Sequence, residues 1–105
     1  MRVKFLDQAK EDLAECNQYY RDVGGTALAS KMLARIKAPV FALKDNPEIA
    51  QPYELAPDIR RLVVARGAFL VFYRIRDSIE VLHIRRSERM PVSAQELESL
   101  PSMTE

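Results

Sequence analysis

The chain predicts a single α+β domain over 1–105: an N-terminal strand, an α-helical hairpin packed on one face of a small antiparallel β-sheet, and a short C-terminal helix. Three observations carry that prediction. In the first half, apolar residues recur every three or four positions, the repeat of one helix face. In the second half the period shortens to two, and β-branched and aromatic residues dominate. Turn signals divide both halves: Gly24-Gly25 among the helices, Arg66-Gly67 and Asp77-Ser78 among the strands.

The first strand, over 2–6, is the extended run Val3-Lys4-Phe5-Leu6, expected at a sheet edge. Asp7 is placed to cap a helix over 8–23, whose stripe Ala9, Leu13, Cys16, Tyr20 and Val23 is spaced 4, 3, 4 and 3. A second helix, over 27–45, continues with Leu28, Met32, Ile36, Val40 and Leu43. Pro39 inside it lacks the N–H that would bond the Arg35 carbonyl, so a kink is expected there. From Asn46 to Pro57 the chain has little periodicity and reads as a loop crossing from helices to sheet. Strands over 59–65, 68–76 and 79–85 then form an antiparallel meander. Its central strand is apolar on both faces at its start and carries Arg74 and Arg76 at its end, so one end of the sheet should be open and cationic. Ser93-Ala94-Gln95-Glu96 has the spacing of a capping box and opens a helix over 93–100.

Composition narrows the class. A hydrophobic fraction of 48% with 30% charged residues is that of a folded globule, and no run approaches the roughly 20 apolar residues of a membrane span. The start, Met1-Arg2-Val3-Lys4, meets charge before an apolar signal segment develops, so a cytoplasmic protein with no membrane partner is expected. One cysteine, Cys16, excludes an internal disulfide and a cysteine metal cluster. The net charge of +1 hides an asymmetry: between Asp58 and Met90 eight arginines face four acids, a local +4, against −3 for the remainder. Every basic residue after Lys44 other than His83 is arginine, whose planar fork suits carboxylate and phosphate better than the point charge of lysine.

Proton-transfer chemistry is sparse. His83 is the only histidine, and strict alternation places it on the face of Ile79, Val81 and Arg85 as a packed or partly exposed structural residue. Tyr73 falls on the face of Phe69, Val71 and Ile75 and belongs to the core, while Tyr19 and Tyr20 pack between the helices. Cys16 lies in the apolar stripe as a small core residue. The strands show no row of exposed aromatics for base stacking, which argues against a nucleic-acid module despite the arginines.

These elements, in this order, resemble the RelE/ParE toxin superfamily. The likeness runs from Val3 through Arg89. It includes Ala9, Asp12 and Leu13 in the manner of A-x-x-D-L, then Phe41-Ala42-Leu43 with Asn46-Pro47, then Arg60-Arg61-Leu62-Val63-Val64. Most specific are Phe69-Leu70-Val71-Phe72-Tyr73-Arg74-Ile75, a V-x-Y-R-[IV] ending, and Ile79-Glu80-Val81-Leu82-His83-Ile84. The resemblance implies the toxin of a type II toxin–antitoxin system, held in a hetero-oligomer by a cognate, small, acidic, ParD-like antitoxin. It leaves two targets. ParE-like members inhibit DNA gyrase by binding. RelE-like members are ribosome-dependent mRNA endoribonucleases, and a diverged, non-toxic binding module is a third possibility. Where RelE-like enzymes keep histidine, tyrosine or lysine at the end of the last strand, this chain has Arg85-Arg86-Ser87-Glu88-Arg89. Arginine is a poor general base, and Glu88 among arginines is an ion-pair partner first. The ParE-like reading is therefore preferred, with no catalytic residue, no metal and no cofactor. Arg60, Arg61, Arg74, Arg76, Arg85 and Arg86 are its expected target- or antitoxin-binding residues.

Overall fold

In the computed structural model, which describes residues 1–87, the apolar stripes and the β-rich runs meet in one core. Strand β1 covers Val3–Phe5 and leads at once into the helical segment α1, Asp7–Phe41. A straight helix of 35 residues would be about 50 Å long, yet Phe5 and Phe41, at its two ends, stack edge to face with ring centroids 5.8 Å apart. The reversal lies at Gly25, where φ is 85° and ψ −179°. That region is essentially closed to residues with a Cβ, so glycine lets one helical arm fold back on the other. The expected hairpin is present, with the break at the second of the two glycines.

Local expectations differ in three places. The first helix begins after Leu6, so Asp7 is a first-turn residue and makes no side-chain cap; its charge still suits the positive end of the helix. Pro39, in the last turn, causes no departure from helical dihedrals, so the kink expected there does not appear in the backbone angles. Between Phe41 and the sheet, a 3-10 turn over Ala42–Lys44 buries Leu43, and the region read as loop contains strand β2, Gln51–Tyr53.

Strands β3 (Ala56–Val64), β4 (Phe69–Ile75) and β5 (Ile79–Arg86) form the meander. Five strands run in the order β1-β5-β4-β3-β2. All neighbours are antiparallel except β1, which joins the edge of β5 in parallel. Parallel pairing is possible because the whole of α1 and the meander separate the two strands. Both arms of α1 lie on one face: Ala9, Ile36 and Val40 pack against Val71, Tyr73, Ile79 and Val81, and all seven are fully buried. Each large member contributes about 1.5–3 kcal/mol of transfer free energy. The Tyr73 hydroxyl stays inside this core by donating to the Pro47 carbonyl at 2.7 Å, and burial pushes its phenol pKa up.

Gly25→Ala is expected to destabilise the domain by about 1–3 kcal/mol through backbone strain alone, because a Cβ there would meet no neighbouring atom. Urea denaturation with an unchanged m-value is the measurement; a neutral substitution would show that the reversal does not depend on glycine.

Candidate functional site

The site is created by a single extra residue. Phe72 pairs with His83 but Tyr73 pairs with Val81, so Leu82 is bulged out of β5. A bulge reverses the alternation beyond it. Ile84 therefore joins Ile79 and Val81 on the helix-covered face, and Arg86 follows it, pairing with Phe69. His83 moves to the opposite, open face, where its ring lies nearly parallel to Phe72 at 22° with centroids 6.3 Å apart. Strict alternation would have set it beside Val81, so that expectation is overturned.

His83 also stands where β1 stops covering β5. Leu6 N–H donates to the Val81 carbonyl, and the chain then departs into α1. The Asp12 side chain, 9% exposed, takes over the edge: one oxygen accepts the Ile84 N–H at 2.8 Å and the His83 Nδ1–H at 2.7 Å. Its other oxygen accepts from Gln8 one turn earlier, at 2.9 Å. The pairing fixes Nδ1 as the donor nitrogen, which leaves Nε2 as an acceptor in the neutral ring. The His83 side chain remains 42% exposed.

Across the open face the register aligns Gln51, Arg61, Phe72 and His83 on four successive strands. Tyr53 leans onto Phe72 edge to face at 5.3 Å and lies under the Arg61 guanidinium at 5.9 Å. A row of three rings, Tyr53, Phe72 and His83, thus spans the sheet. The strand sequences hid it: Tyr53 lies in a strand read as loop, and His83 reaches the row only through the bulge.

The six arginines singled out from sequence do not share one patch. Arg61 lies on the open face, exposed. Arg74 is there too, bonded through Nε to Glu80 at 2.7 Å, and this hydrogen bond holds the Glu80 carboxyl below its usual range. The register sets Arg85 opposite Leu70, exposed, and Arg76 is exposed at the β4–β5 turn. The other two serve the fold. Arg60 faces the helix side and donates to the Ala50 carbonyl at 2.7 Å and to that of Glu48 at 3.3 Å, tying down the segment that precedes β2. Arg86 stacks 4.7 Å over Tyr19 and 5.8 Å over Phe69, closing a hollow between α1 and the edge of β5. Tyr19 lies under Arg86, and Tyr20 meets Phe69 of the sheet edge to face. In the same hollow, burial pushes the Cys16 thiol pKa up, with Arg86 opposing, so it is no ready nucleophile. Glu88 and the helix expected over 93–100 lie outside the described residues.

Comparison with known proteins matches this arrangement. The family described as "ParE toxin of type II toxin-antitoxin system, parDE" matches residues 3–91. Among solved structures, a chain of the chromosomal ParDE system from P. aeruginosa is similar at 28% identity and a TM-score of 0.73, over 83% of this chain and 96% of that one. The isolated E. coli RelE toxin shares the fold at 15% identity and a TM-score of 0.65, over 92% and 95% of the two chains. A chain of the RelBE2 toxin–antitoxin complex from Mycobacterium tuberculosis does so at 24% identity and 0.57, over 81% and 88%. A search of curated proteins found no match.

Asp12→Ala leaves the Ile84 N–H buried without its acceptor, which is expected to cost about 1–3 kcal/mol. Asp12→Asn, which keeps one acceptor oxygen, is expected to lose less. Urea denaturation ranks the two, and amide exchange at Ile84 should accelerate in the alanine variant. Equal stability of all three proteins would remove Asp12 from its role at the strand edge.

Proposed function

The chain belongs to the ParE toxin family of type II toxin–antitoxin systems, and from that premise we propose that it acts in the cytoplasm by binding DNA gyrase, without cutting RNA. One observation carries the choice. General acid–base cleavage of RNA needs one group to take the 2′-hydroxyl proton and another to protonate the leaving oxygen. Among the described residues of the open face, His83 is the one imidazole; Glu80 is already bonded to Arg74, and Glu54 stands at the opposite, Tyr53 end of the row. Asp12 is spent on Ile84 and on His83 itself. A surface with one imidazole, exposed arginines and half-buried rings suits binding.

A ParD-like antitoxin is the proposed partner in a hetero-oligomer. Supporting it are the family and the similar chains from ParDE and RelBE2 toxin–antitoxin systems. Arg61, Arg74, Arg76 and Arg85 are the proposed contacts to target or antitoxin. Arg60 and Arg86 are set apart by face: both lie on the helix-covered side of the sheet, where Arg60 donates to the Ala50 carbonyl and Arg86 stacks over Tyr19.

The competing RelE-like reading draws on a specific feature as well: His83 is oriented by a carboxylate, as a catalytic imidazole would be. The two readings part in cells. Induction of the chain alone is expected to give filamentation and DNA-damage signalling, and the purified protein is expected to inhibit gyrase supercoiling. Arg61→Glu and Arg85→Glu should each lower that inhibition about tenfold or more, as for a contact worth about 1.4 kcal/mol. His83→Ala should leave it largely intact. Ribosome profiling that found A-site mRNA cuts within minutes of induction, lost in His83→Ala, would replace the gyrase assignment with the ribonuclease.

A further inference from the structure

We propose that Glu80 is a positioning residue for Arg74: by accepting the Nε–H it aims the two Nη groups off the open face, at a carboxylate of an acidic protein segment. The two residues face each other across β4 and β5, and Arg74 Nε donates to Glu80 Oε1 at 2.7 Å. That bond occupies one edge of the guanidinium. Among the described residues the Nη groups of Arg74 make no hydrogen bond. Arginine carries its five N–H donors in a rigid planar fork, so fixing Nε fixes the plane in which the others point.

Arg74 is thereby an anchored cation. Its side chain and that of Glu80 are 31% and 20% exposed, and the bond between them is charge-assisted. The Glu80 carboxyl is held below its usual range by that bond first, and by the charges of Arg74, Arg76 and Lys4. It therefore stays ionised, and the bond persists, well below neutral pH. Lys4 flanks Glu80 from β1, so one acid serves several cations and the surface around it stays positive. Arg61, by contrast, is exposed and rests on the Tyr53 ring at 5.9 Å. A mobile arginine loses rotamer freedom on binding, whereas an anchored one has lost it already.

The surroundings choose the ligand. On the same face Val63 is 55% exposed, opposite a half-buried Leu70, and Phe72 is half-buried beside them. A guanidinium fork near apolar side chains fits a segment that carries both carboxylates and apolar groups; a phosphate backbone brings charge without them. This inference deepens the reading of Arg74 as a contact residue and rests on it. It does not rest on the choice of gyrase: binding is measured with a synthetic polymer and no target protein, so either can fail alone.

Poly-L-glutamate is the probe, titrated into the full chain at low salt and followed by calorimetry. The sign of one effect decides. Glu80→Ala makes the face more positive, so charge alone would tighten binding, whereas loss of positioning should weaken it about tenfold. The weakening is the expected result. Glu80→Gln keeps an acceptor oxygen for Nε and should bind at least as tightly as the parent. Arg74→Lys keeps the charge without the fork and should bind as weakly as Glu80→Ala. With Arg74→Ala already in place, Glu80→Ala should no longer weaken binding. In NMR spectra the Arg74 Nε–H should be protected from solvent exchange in the parent and in Glu80→Gln, and unprotected in Glu80→Ala. Urea midpoints establish that each variant is folded. The proposal is overturned if folded Glu80→Ala binds like the parent or more tightly, or if its weakening persists without Arg74. It is overturned equally if charge-matched polyphosphate binds more tightly than polyglutamate with the same dependence on Glu80, which would make the ligand a phosphate backbone.

Discussion

Where β1 runs out, a side chain completes the edge of the sheet. The Asp12 carboxylate accepts the Ile84 N–H as a neighbouring strand would, and the same oxygen holds His83. Much of the remaining geometry depends on that substitution. It ties the first helical arm to β5 at the bulge, the point where the strand is least constrained by its own ladder. It fixes the rotation that sends Ile84 inward and His83 outward. Because the carboxylate is almost buried and accepts three hydrogen bonds, it is satisfied, and a satisfied buried acceptor specifies a geometry as well as stabilising it.

The fold was legible in the sequence wherever a period ran long enough. The helical stripe through Ala9 to Val40, the glycine pair and the meander all have repeats or turn chemistry that admit few alternatives. Two features were not legible, for different reasons. Strand β2 is three residues long and contains Pro52, so neither alternation nor composition marks it; it exists because the β3 edge was available to pair with. The bulge is invisible because Leu82, His83 and Ile84 all suit a strand, and only their partners on β4 reveal which one is extra. A shift of one residue then reverses every face assignment that follows.

The candidate site suffered most from that shift. Sequence order suggested a cationic surface of six arginines. The three-dimensional arrangement divides them according to the parity of each position within its strand. Arg60 and Arg61 are neighbours in the chain and lie on opposite faces; so are Arg85 and Arg86. Charge density along a sequence is therefore a poor guide to charge density on a surface when the residues sit in strands. Asp12 could not be linked to His83 from sequence either, since 71 positions separate them and a helical aspartate beside a glutamate looks like a solvated one.

The division of the arginines bears on genetics. Selection for cells that survive induction of a toxin recovers any allele that loses activity, whatever the cause. At Arg60, whose group secures the segment before β2, such alleles would report a protein that accumulates less. At Arg61 they would report a folded protein with an altered surface. Survivors at adjacent codons thus belong to different phenotypic classes, and immunoblotting for the chain sorts them where the position of the mutation alone does not.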